Sequence, residues 1–298
     1  MNINFKILKY SFALAVSVSV LIAALVMTVF NKEKTNQVSV SYVRPENPEY
    51  LHIYTLLYEK NHSLKKLQEL LSPFRLPWTL VIVLNECDGE ADAMYHDGTI
   101  TICYEYVNEL WNAMPANTTK AGIEPIDTVV GPFMDTILHE FAHALFDYLD
   151  IPVLGREEDA ADQFSAYLYL QLDPAEARRL IMGTVYTYMV EVENTAPPSL
   201  EEFAGEHSTS EQRRFNLLCM AYGSNPEHFK DVAIWGELPQ YRMDVCVEEY
   251  ELIELAYNTL ITPHIDPELA EKVFNKKWLP KKTSRMLIKQ DLNHLKRH

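Results

Sequence analysis

The chain has little glycine and few basic residues, and both shortages exclude classes of function. Only nine of its 298 residues are glycine, which argues against a large α/β nucleotide-binding fold with glycine-rich loops. No phosphate-cradling glycine motif is present. Lysine and arginine number 26 against 42 aspartates and glutamates, so the formal net charge is −16. Because phosphate backbones are bound by clustered Lys and Arg, nucleic acid is not expected as a partner.

Cysteine is also scarce, and none of the four cysteines belongs to a C-x-x-C pair. A zinc site made of cysteines is therefore not expected. Cys87 and Cys103 flank a predicted hairpin, whereas Cys219 and Cys246 fall on helices that the sequence predicts to be successive. An even number placed two and two is typical of two disulfides in an oxidising compartment, and the alternative is four buried thiols.

One long apolar run lies near the N-terminus. Residues 10–30 carry no charge and are bracketed by lysines on both sides, and a helix of this length spans the hydrocarbon core of a bilayer. Its end offers no clean small-x-small cleavage site, so we expect an uncleaved signal anchor over residues 1–31 that attaches the protein to a membrane. Secretion after signal cleavage and a buried core helix are the alternatives. Together with the cysteines, the anchor predicts a periplasmic or extracellular location for the rest of the chain.

The remainder divides into a polar linker over residues 32–46, one domain over 47–270 and a basic tail over 271–298. At 48% hydrophobic residues, the chain is long enough to bury a sizeable core. Asn47 with Pro48 predicts the capped start of a helix that extends to about Ser72. The simplest interpretation of the tail is a solvated segment. The more specific interpretation is that it binds the acidic body of the protein or anionic lipid.

The main chemical signal is an H-E-x-x-H pattern at residues 139–143, inside an apolar, helix-forming run that is predicted to begin near Gly131. Residues four apart lie on one face of an α-helix, so His139 and His143 would present two imidazoles to one metal ion. Glu140 lies beside the first ligand, where its carboxylate can reach a metal-bound water. Three residues at fixed spacing recur by chance, so the pattern needs support from the residues that follow it.

A carboxylate pair follows on the next predicted helix, which opens near Arg156. Glu158 and Asp162 are four residues apart and share a face. Glu158 can therefore be the third metal ligand, while Asp162 accepts the second N–H of a ligating histidine. Acidic residues in the first turn of a helix are also favoured by the helix dipole without any function. The two histidines, the glutamate between them and this downstream pair are explained together by a metal site.

These residues resemble the gluzincin metallopeptidases, which are thermolysin-like in their site. The longer string from His139 to Asp162 is similar to a bacterial metallopeptidase family of uncharacterised function. Cys-Tyr-Glu at residues 103–105 and Cys-x-x-Tyr-Gly at 219–223 match segments of that family, and the resemblance covers about residues 45 to 265.

The resemblance implies a Zn²⁺ site with His139, His143 and Glu158 as ligands and Glu140 as general base, acting on a peptide or protein. The interval between His143 and Glu158 is shorter than in thermolysin-like enzymes. This leaves Glu157, Asp159 and Asp162 open as alternative third ligands. The extended metzincin pattern is absent, because Phe146 and Leu149 occupy the positions of its glycine and third histidine.

Two further features bear on substrate binding. Residues 78–84 form a β-rich run, and an Asp97-Gly98 turn joins strands at 93–95 and 100–102. Residues 91–95 are our candidate for an edge strand that binds extended peptide, although an ordinary hairpin explains them as well. His207 precedes a predicted capping box, Ser208-x-x-Glu211, and could donate to a developing oxyanion. Tyr104 and Tyr222 are the other candidates for that role. The alternative is that none of the three residues has it.

The sequence thus predicts a mostly α, α+β fold: a zincin-like metallopeptidase domain with a small β-sheet or hairpin behind one N-terminal transmembrane helix. The predicted function is zinc-dependent peptide hydrolysis. The alternative from another class is a non-catalytic, metal-stabilised envelope module that binds a partner. A third interpretation, a helical scaffold whose motif is accidental, predicts no metal. Neither the substrate nor the oligomeric state follows from the sequence.

Overall fold

The computed structural model describes residues 37–279, and these form a mostly helical α+β fold with one small sheet. The strands are β1 (Val38–Tyr42), β2 (Leu80–Asn85), β3 (Ala93–His96) and β4 (Thr99–Cys103). The helical region α1 consists of a 3-10 turn (Pro48–Tyr50), an α segment (Leu51–Tyr54) and a π segment (Thr55–Lys60). The other helices are α2 (Ser63–Leu70), α3 (Tyr104–Ala113), α4 (Asp127–Tyr148), α5 (Glu157–Leu170), α6 (Pro174–Asn194), α7 (Leu200–Ala204), α8 (Ser210–Ser224), α9 (Pro226–Trp235), α10 (Gln240–Leu260) and α11 (Pro267–Phe274).

The predicted signal anchor and most of the basic tail lie outside these residues. None of the helices between residues 37 and 279 combines the length and the apolar composition that a bilayer crossing requires. Two lysines at the start of the tail contact the body of the protein. Lys276 pairs with Glu69, and Lys277 lies 2.5 Å from a carboxylate oxygen of Asp173.

The sheet has the strand order β1-β2-β4-β3. The first three of these strands are parallel, and β3 pairs antiparallel with β4 at one edge. The turn between β3 and β4 has positive φ at both Asp97 and Gly98, which is the backbone that tight hairpins prefer. The predicted Asp-Gly hairpin is therefore confirmed.

The linker prediction is wrong over residues 38–42, because this segment forms β1 along β2. Its valines, serines and tyrosine alternate with the period of two that a strand requires. Val38 is buried. The alternation therefore reflects packing of one side of the strand, although the serines give the segment a polar composition.

The predicted continuous helix over residues 47–72 is broken in the structure. Asn47 caps its start as expected, accepting from the backbone N–H of Glu49 at 3.0 Å. The chain then passes through the π segment, and His62 adopts a left-handed φ of 49° before α2 begins. Neither glycine nor proline marks this break.

The long helix α4 packs against α5, α6 and β3. It begins at Asp127, four residues before the predicted start, so Pro132 is in its interior instead of its first turn. Close approach of α4 and α6 depends on glycine. A Cβ atom on Gly183 would lie 2.0 Å from the carbonyl oxygen of Asp127, and one on Gly131 would lie 2.6 Å from that of Leu180.

Both expected disulfides are formed. Cys87 is bonded to Cys103, and Cys219 is bonded to Cys246. The second bond joins α8 to α10, so its helices are not successive as predicted, because the short helix α9 intervenes. The covalent links tie the loop before β3 to the end of β4 and pin two helices together.

The predicted capping box at the start of α8 is displaced by one residue. Thr209 accepts from the N–H of Gln212, and the Gln212 side chain accepts from the N–H of Thr209. The Ser208 hydroxyl donates instead to Asp159 on α5, at 2.6 Å. A short helix, α7, also occurs within the predicted loop over residues 194–205.

Candidate metal centre

The helical spacing of the H-E-x-x-H pattern brings two imidazoles together as expected. The Nε2 atoms of His139 and His143 are 3.1 Å apart on α4. The first turn of α5 supplies a third donor, because Oε2 of Glu158 lies 2.9 Å from Nε2 of His139 and 3.3 Å from that of His143. The sequence-predicted ligand set is therefore brought to one point, as a group of three that could hold a metal ion.

The size of this triangle suits zinc. Tetrahedral zinc binds histidine nitrogen and carboxylate oxygen at about 2.0–2.1 Å, which places the ligand atoms about 3.3 Å apart. The observed edges of 2.9, 3.1 and 3.3 Å lie close to that value. Two nitrogens and one oxygen also form a donor set typical of catalytic zinc, with one coordination position left for water.

Each imidazole is oriented by a carboxylate on its outer nitrogen. Nδ1–H of His139 donates to Asp162 and Nδ1–H of His143 donates to Glu157, both at 2.8 Å. With the proton on Nδ1, each Nε2 lone pair faces the centre, as a metal ligand requires. Asp162 is largely buried, whereas the side chain of Glu157 is 54% exposed.

Asp162 is in turn held by Arg213 of α8 through two hydrogen bonds, of 2.6 and 2.8 Å. Burial tends to raise the pKa of Asp162, but Arg213 and His139 outweigh it and lower the pKa to about 2. Hydrogen bonding to His139 similarly lowers the pKa of Glu158 to about 2. Both carboxylates therefore stay ionised at neutral pH.

The other residues considered as third ligands are engaged elsewhere. Glu157 and Asp162 bind the outer nitrogens of the imidazoles, and Asp159 accepts from Ser208. A second cluster that combines Cys87, Cys103 and Glu105 is not available to a metal, because the two sulfurs are bonded to each other.

Glu140 lies next to the metal-ligand group and is 8% exposed. Burial raises the pKa of its carboxyl group, while the two histidines and the backbone of Tyr95 oppose the shift. A carboxylate with a raised pKa is a better proton acceptor than an exposed one. These properties suit a proton acceptor, and the role of Glu140 as general base stays a prediction.

A cleft of about 550 Å³ opens onto the site. Its lining includes Met94 and Tyr95 of the edge strand β3 together with Glu140 and His143. The Tyr95 hydroxyl donates to Asp147 of α4 at 2.5 Å and so joins the strand to the metal-binding helix. One side of β3 is unpaired within the described sheet, and the strand follows the rim of the cleft.

Of the three candidate oxyanion donors, the structure brings His207 to the site. Its Nε2 lies 2.9 Å from Oε2 of Glu158, and the ring lines the cleft. Tyr104 is fully buried and donates to the carbonyl oxygen of Val43. It is therefore not available as the oxyanion donor. Tyr222 is not among the described residues that line the cleft.

Sequence reasoning missed several residues around the site. Arg213 and Tyr188 are distant from the motif in the chain, and no local pattern marks them. The Arg213 guanidinium lies 5.4 Å from the centre of the Tyr188 ring. Asp135 is one helical turn before His139, a position that the helical period could have indicated.

Comparison with known proteins agrees with this geometry. Residues 42–261 match the profile of the family DUF4344, whose description is "Putative metallopeptidase". No curated protein and no solved structure matches the chain. The matched range includes all four cysteines, both histidines of the motif and Glu158. The chain belongs to the DUF4344 family of metallopeptidase-like proteins.

Proposed function

We propose that the protein is a zinc-dependent peptidase that hydrolyses peptide bonds with Glu140 as general base. The observation that carries this proposal is the convergence of three donor atoms beside a buried carboxylate, at the floor of an open cleft. His139, His143 and Glu158 would hold the ion. Zinc held there supplies an activated water and polarises the substrate carbonyl.

The residues of the chain perform the proton transfers. Glu140 accepts a proton from the attacking water and passes it to the amine that leaves. Its raised pKa favours the first step, and its burial keeps bulk water from competing for the proton. His207, whose Nε2 lies 2.9 Å from Oε2 of the proposed ligand Glu158, would donate to the oxygen of the substrate carbonyl as negative charge develops on it.

The substrate is proposed to bind as an extended peptide along β3. The strand is at the edge of the sheet and lines the cleft, so its free backbone groups can pair with those of a peptide. A cleft of this size favours catalysis over the alternative of a closed, metal-stabilised binding module. The two disulfides further support an oxidising compartment as the place of action.

The decisive experiment is the substitution Glu140→Gln. We expect the variant to bind zinc as the wild type does and to lose about 10²–10⁴-fold in peptide cleavage. The matched control is Glu251→Gln, which removes an exposed carboxylate on α10 and should retain full activity. Zinc is measured by elemental analysis and cleavage with a peptide library, with and without a chelator. Undiminished cleavage by zinc-loaded Glu140→Gln would refute the mechanism.

A wild-type protein that binds zinc but cleaves no member of the library would favour the non-catalytic binding module. Protein purified without added metal and found to contain none would favour the helical scaffold with an accidental motif. Each of the three interpretations therefore has its own combination of metal content and activity.

A further inference from the structure

The charge of the cleft is strongly unbalanced. Besides Glu140 and Glu158, five carboxylates line it: Asp92, Asp135, Asp147, Glu157 and Glu191. Arg213 is the one lysine or arginine among the described residues that line the cleft, and its guanidinium is already bound by Asp162. A divalent ion at the metal centre would offset only part of this negative charge. Clefts lined by one sign of charge attract ligands of the other sign.

The part of the cleft between α4 and α6 contains a buried carboxylate. We call this part the α4–α6 pocket. Its residues are Asp135 and Thr136 from α4 and Thr184, Thr187, Tyr188 and Glu191 from α6. Asp135 is 7% exposed. It accepts from the Ser165 hydroxyl at 2.9 Å and from the Tyr188 hydroxyl at 3.3 Å.

Within residues 37–279, Asp135 forms no ion pair with a lysine, arginine or histidine. Burial and Asp162 raise the pKa of Asp135, and Arg213 and His139, which act on it without direct contact, offset this only in part. Its two neutral hydroxyl donors replace its hydration only partly, so a cation in direct contact would stabilise the carboxylate. Glu191 lies exposed on the same helix face as Tyr188, three residues further along α6. One carboxylate is therefore inside the pocket, and a second lies at its rim.

Two of the three threonines of the pocket have their hydroxyl protons engaged by backbone carbonyl oxygens. The hydroxyl of Thr184 donates to the carbonyl oxygen of Leu180 at 3.0 Å, and that of Thr187 donates to Gly183 at 3.2 Å. With these protons engaged, each hydroxyl offers only lone pairs to a ligand. A pocket of acceptors suits a side chain that carries donors and positive charge.

The location of the pocket connects it to the scissile bond. Asp135 and His139 are four residues apart on α4, which is about 6 Å along the helix axis. The four-carbon stem of lysine, or the longer arginine side chain, is suited to cover such a distance from a backbone held at the metal centre.

We propose that the α4–α6 pocket selects a lysine or arginine side chain next to the bond that is cut, with Asp135 as its buried acceptor and Glu191 at the rim. This inference rests on the proposed peptidase function and names its substrate class: cationic peptides. Asp135 acts here as a specificity-determining residue, since it contacts the substrate side chain and none of the reacting atoms.

The test uses peptides of one scaffold that differ at a single position, on either side of the cut bond. That position carries lysine, arginine, norleucine or glutamate. Norleucine matches the stem of lysine without its charge, so the lysine-to-norleucine ratio of kcat/KM isolates the charge. For the wild type we expect a ratio of about ten to a hundred, the value of a hydrogen-bonded charge pair in a desolvated site. Glutamate should give the lowest kcat/KM.

Asp135→Asn keeps the shape of the side chain and should lower this ratio about tenfold. Glu191→Lys, at an exposed position, should lower the ratio as well. It should also weaken the dependence of kcat/KM for the lysine peptide on ionic strength. Glu251→Gln, which changes the net charge away from the cleft, is the matched control and should leave the ratio unchanged. Zinc content and melting temperature verify that each variant is folded. If Asp135→Asn does not fold, the ratio measured for Glu191→Lys decides whether the pocket selects cations.

A wild-type ratio near one, with both peptides cleaved, would overturn the inference and leave the peptidase function intact. The same holds for a high ratio that neither Asp135→Asn nor Glu191→Lys reduces. If the wild type cleaves no peptide, the proposed function fails. Equilibrium binding of the lysine and norleucine peptides to the zinc-loaded protein then decides by itself whether the pocket selects cations.

Discussion

The two carboxylates that orient the imidazoles should contribute unequally to metal affinity. Asp162 and Glu157 make equivalent 2.8 Å hydrogen bonds to His139 and His143, but only Asp162 is largely buried and fixed by a second partner. Removing such an orienting carboxylate typically costs 10- to 100-fold in metal affinity. We expect Asp162→Asn to lie near the upper limit, about 3 kcal/mol. Glu157→Gln should lie at or below the lower limit, because solvent screens and replaces an exposed partner.

The assay is a competition titration of zinc against a chromogenic chelator, at neutral pH. Asp162→Asn has a second effect, since it leaves the guanidinium of Arg213, whose side chain is 22% exposed, without its carboxylate. Breaking a buried pair from one side costs about 3–5 kcal/mol of stability, so the metal-free variant should also melt at a lower temperature. The double variant Asp162→Asn/Arg213→Met removes the orphaned charge. It should recover stability without recovering zinc affinity.

That separation identifies the role of Asp162. If the double variant regains wild-type zinc affinity, the loss in the single variant came from misfolding and not from the imidazole. If Glu157→Gln costs as much affinity as Asp162→Asn, burial does not determine the strength of these contacts and the reasoning is refuted.

Three further predictions follow from the fold. Replacing Cys219 and Cys246 by alanine opens a loop with a sequence separation of 27 and should cost about 3.5 kcal/mol of unfolding free energy, measured by denaturant titration; a loss below about 1 kcal/mol would contradict this. In the metal-free protein, burial of His139 opposes its protonation, but Asp162 and Glu158 prevail and raise its pKa from 6.5 to about 9. Its stabilising contribution is therefore complete below pH 6.5 and lost as the pH rises through about 9. The melting temperature of the metal-free protein should fall over that interval. A melting temperature that does not change with pH there would exclude the effect. Gly183→Ala forces α4 and α6 apart and should cost at least about 1–3 kcal/mol, and an unchanged melting temperature would show that the helices separate freely.

The local part of the site follows from the sequence. The spacing of four places His139 and His143 on one face of α4 and Glu158 and Asp162 on one face of α5, since helical geometry leaves little choice. The meeting of the two faces depends on how the helices pack, and the short connection between them favours an antiparallel pair that brings the faces together. Arg213 could not be predicted, because it is 51 positions from Asp162 in the chain. The periodicity of the sequence indicates contacts within a helix and not contacts over such a separation.

The errors in the predicted fold have similar physical causes. Ser208 and Thr209 both begin a pattern of the capping-box type, and tertiary contact decides between them, because Ser208 is engaged by Asp159. The break at His62 occurs without a helix-breaking residue. Strand β1 was missed because its serines resembled a polar linker, although they alternate with buried or half-buried side chains.

The disulfide between Cys87 and Cys103 lies on the β3 side of the proposed site. The three donors that could hold a metal ion belong to α4 and α5, and neither disulfide includes a residue of these two helices. The strand along the rim follows a loop that is closed by this disulfide and fastened by Glu105, which accepts from the N–H groups of Cys87 and Gly89. Reduction of this disulfide is therefore expected to loosen the loop that leads to β3, whereas the proposed metal ligands lie on helices outside that loop. With β3 as the proposed peptide-binding strand, the redox state of the surroundings would act on substrate binding, and the supply of metal would act on the separate proposed metal centre.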